Sequence, residues 1–472
     1  MGSWRAVWMR LSGAAGGGHA RGGWGLGRGA AVVALFAASV VGATGCMGGD
    51  DDSSSTEAAA KYDGKPVTIT LWTGFSDREL NVIKGVTEDF HKKNPKITVK
   101  VLGAVDDDKI IAAARGGNSP DVAHSFSTDN TGAFCSSGAW VPLQPYMDRD
   151  GLSASAFPQS VQSYTKFEGN QCTLPMLADV YGLFYNKDLF AKAGIKEPPK
   201  TFSELSADAK KLTQRGSDGK IEVAGYVPTW GFYENQAAHY APQWNAHWTD
   251  EQGKSSLSSD PNWAKMINWS KDLVDWYGYD NLVKFQAGAG DEYSAQNAFE
   301  RGKIAMIIDG EYRTAFIENE HPDLNYGTAP MVVDDDQPEL YGGGYVTGSI
   351  IGIPKGAKNK AAAWELVKYL AYDEHALATL SNGLRNVPTT DASLHSSELK
   401  PNPNFATFLK VFPDEHSATN PITAAGAAYQ EAAEAFFAKY QTGKVPDLQA
   451  GLEELDKQID DQLAQITQGQ TP

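Results

Sequence analysis

Three cysteines and nine scattered histidines in 472 residues leave little for metal chemistry. No His-Glu-x-x-His pair is present, so a zinc hydrolase has no ligand set. There is no Gly-x-Ser-x-Gly elbow. The lone Ser163-Tyr164-Thr165-Lys166 stands without the Ser-Asp-Asn and Lys-Thr-Gly elements of penicillin-recognising enzymes. Acidic runs at 50–52, 106–108 and 334–336 lack the alternating spacing and turn glycine of a calcium cage and read as solvated loops. These absences predict no catalytic residue, no metal and no cofactor. No internal repeat suggests a solenoid, and no apolar run approaches the roughly 20 residues a membrane span needs. Basic residues are also short. Apart from Arg5, Arg10, Arg21 and Arg28, 37 of them face 58 acids, a net charge of −21. Such a surface repels phosphate backbones and excludes nucleic acid as a partner.

What is present begins at the N-terminus, where the first 45 residues carry those four arginines and no acid. An apolar run at 30–41 follows, then Gly42-Ala43-Thr44-Gly45-Cys46. Ala-Thr-Gly-Cys resembles a bacterial lipobox, with Ala43 where lipoproteins more often carry Leu; a plain secretory signal or a short membrane anchor is the alternative. The resemblance implies a signal peptide over 1–45 and Cys46 as the lipidated first residue of the mature protein, on the extracellular face of a bacterial cell membrane. Residues 46–61, rich in Gly, Asp, Ser and Ala, have almost nothing to bury and read as a flexible tether. Export places Cys135 and Cys172 in an oxidising setting, so a disulfide is expected, with two buried thiols as the alternative.

With 42% hydrophobic and 21% charged residues, the remaining chain suffices for two substantial cores. Alternation over 66–72 predicts a strand. Ser76 and Glu79 have the spacing of a capping box before Leu80, Ile83, Val86 and Phe90 recur at helical intervals. Asn94-Pro95 stops that helix, and Ile97, Val99 and Val101 alternate as the next strand, so a right-handed parallel βαβ unit is expected. A Pro120-Asp121-Val122 entry to a third strand follows. Val180 to Tyr185 reads as a buried strand handing over to a helix, and Thr201 and Glu204 form a second capping-box pattern. Residues 298–310 predict a helix end, a Gly-Lys turn and a buried strand. Asn359 and Asp373 are plausible helix caps. Leu452, Leu455, Ile459 and Leu463 mark an amphipathic helix over 448–466, expected to pack on the second lobe.

The run Leu174-Pro175-Met176-Leu177-Ala178-Asp179, followed by Tyr185-Asn186-Lys187-Asp188-Leu189 and Pro198-Pro199-Lys200-Thr201-Phe202, resembles the extracellular solute-binding proteins of carbohydrate ABC importers, the group that includes maltose-binding protein. That resemblance spans about residues 62–465. It implies an α/β, two-lobed, periplasmic-binding-protein-like fold of type II with three crossovers between lobes. The expected segments are 62–174 and 327–372 in lobe one, and 175–326 and 373–472 in lobe two. It also implies a sugar bound between the lobes and delivered to the transmembrane subunits of an ABC permease by a monomer held at the membrane through its lipid.

Asp179 matches the family's acidic residue at the first crossing. Asp129 matches its cleft aspartate, with Asn130 replacing the usual basic neighbour and Phe126 at an aromatic position. Tyr312 stands where the family has a cleft tryptophan, Glu311-Tyr312 replacing Pro-Trp. Trp230 and Tyr233 fall in the stretch that holds sugar-stacking residues, where an aromatic face suits the apolar side of a pyranose. Phe75 and Ser76 at the first strand end, the amides of Gly343 and Gly344, and the planar fork of Arg385 complete the candidate ligand-binding set. Each has a plain structural alternative: core packing for the aromatics, a flexible turn for the glycines, a surface salt bridge for Arg385. Two other functions stay open. An exported glycoside hydrolase would use Asp129 and Asp179 as paired carboxyls. The same fold could take a polyamine, peptide or organic acid, cleft acids favouring a cation and aromatics a sugar.

Overall fold

The computed structural model describes residues 59–469. The signal peptide expected over 1–45, Cys46 and all but the last three positions of the tether lie outside the described residues. The strands are β1 (Val67–Trp72), β2 (Ile97–Leu102), β3 (Val122–Ser125), β4 (Leu174–Asn186), β5 (Gln214–Arg215), β6 (Ile221–Val223), β7 (Met306–Gly310), β8 (Tyr326–Pro330), β9 (Val346–Gly352) and β10 (Val387–Pro388).

β1 buries Ile69 and Leu71 and pairs in parallel with β2 on one side and β3 on the other, as strand-helix-strand alternation requires. β9 runs antiparallel to β3 and to the first half of β4, giving the order β10-β4-β9-β3-β1-β2. β4 joins two lobes. Its residues from Leu174 to Val180 pair with β9, and its residues from Tyr181 onward pair with β7 and β8. Thirteen residues with almost no polar side chain inside can do this because both faces are covered on either side of the passage. The molecule is therefore an α/β fold of two lobes sharing one strand.

The later crossings differ from the sequence expectation. After 326 the chain stays in the second lobe: β8 pairs with β4, Val333 N–H donates to Lys200 O, and the chain returns only as β9 begins. It then stays in the first lobe past 372. The helix Glu374–Leu384 lies on the helix Asp77–Lys93, where Arg78 donates to Gly383 O at 2.6 Å and a side chain at Gly383 would strike Val82. β10 also pairs with the first half of β4. The second lobe is regained with the helix Phe405–Val411, whose Phe408 packs 5.5 Å from Phe184. Amphipathic periodicity says which face of a helix is buried, not which sheet buries it.

Two caps also differ. Ser76 makes no capping bond; its hydroxyl donates to Asp77, which sits at φ 48°. Asn359 donates its backbone and side-chain N–H groups to Asp121 instead of capping. Thr201 accepts from Glu204 N–H, while Glu204 reaches back one residue further, to Lys200 N–H. Cys135 and Cys172 are joined as a disulfide, their Cα atoms 5.5 Å apart. No helix among the described residues is long and apolar enough to cross a membrane.

Candidate functional site

The passage of β4 between lobes brings three chain segments to one place. The pairing of Tyr181 with Gly310 sets the loop after β7 beside Val180, where Glu311 N–H donates to Val180 O and Val180 N–H donates to Glu311 Oε2 at 2.5 Å. The pairing of Val387 with Ala178 sets Asn386 beside Asp179. The Asn386 amide then donates to Asp179 Oδ1 at 2.5 Å and to Glu311 Oε1 at 3.0 Å. Asp179 is half-buried and Glu311 fully buried. Burial pushes Asp179 up to about 7, helped by Glu234 and Glu79 and opposed by the Asn386 bond. Burial and Asp179 likewise hold Glu311 well above the ordinary carboxylate range.

A second layer lies on the lobe-two side. Glu234 accepts from Tyr181 Oη at 3.0 Å and from Tyr293 Oη at 2.6 Å. His239 donates Nδ1–H to Glu234 O and stacks 4.9 Å from Tyr345; burial lowers its pKa against the pull of Glu234. Half-buried Tyr312 stands 6.3 Å from Tyr293. Beneath them Arg313, wholly buried, donates to Asp309 at 2.7 Å, to Glu300 at 3.2 Å and to Glu292 O at 2.9 Å. The carboxylates of Glu234, Glu292 and Asp309 come within 4.8 Å of one another, a spacing a metal could use. Arg313 already supplies the positive charge there, which fits a structural ion network better than a metal cage.

Of the expected residues, Asp179 and Tyr312 lie in this cluster. Asp129 approaches from the first lobe: the hydroxyl of Thr128 beside it bonds that of Thr347 at 2.8 Å, Thr347 pairs with Asp179 across β9 and β4, and Asp129 accepts from Gln430 at 2.8 Å. Burial raises Asp129 to about 6. Phe75 and Phe126 meet edge to face at 4.6 Å, with His124 stacked on Phe75 at 4.9 Å. Asn130 is spent on Asp107 at 2.7 Å, and Ser76 on Asp77.

Five expected residues are placed elsewhere. Trp230 is in the lobe-two core, 5.5 Å from Tyr240 and 5.9 Å from Phe437. The Tyr233 hydroxyl ties Ala289 O to Ala298 N–H. Gly343 and Gly344 abut His416 and Val411, and their amides bond Leu340 O and the Ser417 hydroxyl. Arg385 makes a two-pronged pair with Glu318, 3.1 Å on each prong. In three cases a side chain of the cluster is the immediate neighbour of an expected residue: Glu234 after Tyr233, Glu311 before Tyr312, Asn386 after Arg385. The one readable signal was Glu311, an acid at the end of a buried strand where the family pattern has proline.

Comparison with known proteins agrees with the two-lobed α/β fold. A binding protein of Brucella abortus is 29% identical over 285 residues, which is 60% of this chain and 65% of that protein. The chain thus spans just under two thirds of the first curated relatives it matches. The maltotriose-binding protein of Pyrococcus abyssi is 22% identical over 339 residues, 71% of this chain and 69% of its own length. The solved structure of CpMnBP1 with mannotriose bound is 26% identical with a TM-score of 0.73, across 83% of this chain and 99% of that one. The family described as bacterial extracellular solute-binding protein has a model that matches residues 78–376, and the chain belongs to that family.

Proposed function

We propose that this protein captures a sugar or oligosaccharide between its two lobes and hands it to the transmembrane subunits of an ABC importer. The observation that carries the reading is the half-buried cluster of Asp179, Tyr312 and their hydrogen-bonded neighbours where β4 passes between lobes. Rings and acceptors together suit a ligand with apolar C–H faces and a rim of hydroxyls. Relatives named for maltotriose binding and a mannotriose-bound neighbour support the same class. The protein acts as a monomer, held by lipidated Cys46 at the outer face of the cell membrane, with residues 46–61 as its tether.

A hydrolytic role is disfavoured. Of the two carboxyls it would pair, Asp179 accepts from the Asn386 amide and Asp129 from the Gln430 amide, so each is engaged by a neighbouring side chain. Ligand that touches both lobes stabilises the closed form by differential contact. In a thermal-unfolding screen of mono- and oligosaccharides, one sugar at 100 times its Kd adds about 2.7 kcal/mol of stability. A panel with no shift for any sugar, or one in which an oligosaccharide is shortened, sinks the reading.

A further inference from the structure

Lobe two rests on a part of lobe one that has little of its own to hold it. The helix Asn130–Ser136 is seven residues long and starts without a side-chain cap, so it persists only where neighbours pin it. Its first turn is nonetheless an interlobe surface. Asp129 accepts from Gln430 at 2.8 Å, Asn130 Oδ1 stands 3.1 Å from where a Cβ on Gly426 would sit, and a Cβ on Gly132 would strike Thr423 O. A fit this close tolerates little displacement of the helix.

The links that pin the helix differ in what they lead to. Asn130 donates to Asp107 at 2.7 Å and Thr131 to Tyr164 O at 2.8 Å, but Asp107 and Tyr164 belong to the short helices Asp107–Arg115 and Gln159–Tyr164. The links at the other end lead to the sheet. Phe134 stacks at 4.2 Å on Trp140, against which a side chain on Gly352 at the end of β9 would collide. Cys135 is bonded to Cys172, 37 positions later and two residues ahead of β4. Cys135 is buried and Cys172 wholly so, which makes the bridge a fixed part of the fold and not an exposed redox sensor.

We propose that the Cys135–Cys172 bridge is a positioning brace for lobe closure: it fixes the Asn130–Ser136 helix to the base of β4, so that the first turn of the helix meets lobe two as a rigid face. β4 is also the strand on which β7 and β8 of lobe two are built, so both sides of the closing surface are registered to one strand. Without the bridge the helix keeps only contacts that let it tilt, and the Asp129–Gln430 bond and the Gly132–Thr423 fit loosen together. This inference goes beyond ligand capture and holds for any ligand the cleft takes.

Small-angle scattering and hydrogen exchange on the ligand-free full-chain protein test it. The variants are the double substitution Cys135→Ala and Cys172→Ala, the single Gln430→Ala, and all three together, each measured well below its own melting temperature. Removing the bridge enlarges the radius of gyration and speeds exchange about tenfold or more at 423–430 of the opposite lobe as well as at 130–136. Gln430→Ala enlarges the radius in the bridged protein but adds nothing once the bridge is gone, because the two changes act through one contact. A bridge with a purely structural role lowers the melting temperature and speeds exchange around 135 and 172, while the radius and the 423–430 segment stay as in the parent; that result overturns the brace. Increments in radius that add also overturn it, as does a Gln430→Ala variant with no effect in the bridged protein. Gly132→Ala keeps the test open if the bridge-free chain fails to fold. Its methyl meets Thr423 O, so a braced helix passes the clash to the interface and the radius grows, whereas an unchanged radius means that the helix yields and refutes the proposal. Failure on any of these counts leaves ligand capture standing, since no ligand enters the measurement.

Discussion

Asp179 and Glu311 share one Asn386 amide out of reach of bulk water, and burial, against the pull of that bond, holds a proton inside the fold. An unfolded aspartate ionises near 4, whereas folded Asp179 keeps its proton up to about 7. Between those values the native state binds more protons than the unfolded chain, so its stability is fully present below about 4 and declines as pH rises toward 7. Asp179→Asn removes one titration from that window and makes the decline shallower by up to about 1.4 kcal/mol per pH unit. Urea unfolding across pH 4.5 to 7.5 measures it, and a slope unchanged from the parent rules the assignment out. At this scale the sequence carried part of the site. Asp179 was legible because a Leu-Pro pair precedes it at the start of a long buried strand. Asn386 was not, because only the register of the two-residue β10 sets it against Asp179, and Arg385 beside it, at φ 62°, offered the stronger chemistry.

The strands and helices were more legible than the contacts between them. Period-two alternation located β1 and β2, and three-and-four spacing located the helix Leu448–Gly469, which buries Leu452, Leu455 and Ile459. What anchors that helix did not show in the pattern, because it lies in a polar residue beside the stripe. Asp456 accepts from the Ser255 hydroxyl at 2.6 Å and from the N–H groups of Leu257 and Ser258, both at 2.9 Å, so it collects three donors from a loop two hundred positions earlier. Hydrogen bonds to a charged acceptor contribute about 1.5–3 kcal/mol, and donors left without one add a desolvation penalty. Asp456→Ala therefore destabilises the protein by about 2–3 kcal/mol in denaturant unfolding, with hydrogen exchange rising first in the C-terminal helix. Asp456→Asn, which keeps an acceptor oxygen, recovers part of the loss. Equal losses for the two variants contradict the anchoring role.

At the scale of the whole molecule, the two-lobed α/β fold was readable because strand-helix alternation and the Leu-Pro crossing are local. The later crossings were not, since 327–372 and 373–404 contain helices and strands that either lobe could accept on periodicity alone. Those crossings decide which groups meet between the lobes. Asp129, from lobe one, accepts from Gln430 on the helix Ala428–Gln441 of lobe two, and a side chain on Gly132 would strike Thr423 O just ahead of that helix. The Asp129–Gln430 bond is made only with the lobes together, so it biases the free protein toward the closed arrangement. Apparent affinity scales with the fraction of molecules in the binding-competent form. Gln430→Ala deletes a bond to a carboxylate raised to about 6 by burial, and that carboxylate gains water when the lobes part. Starting from an even balance of open and closed forms, a loss of about 1–2 kcal/mol from the closed form lowers ligand affinity about three- to fifteenfold. Solution scattering of the ligand-free variant should show a larger radius of gyration, and saturating sugar should restore the parent value because ligand contacts replace the lost bond. Unchanged affinity together with an unchanged radius would mean that the lobes are held by other contacts, with Arg385–Glu318 the next pair to cut.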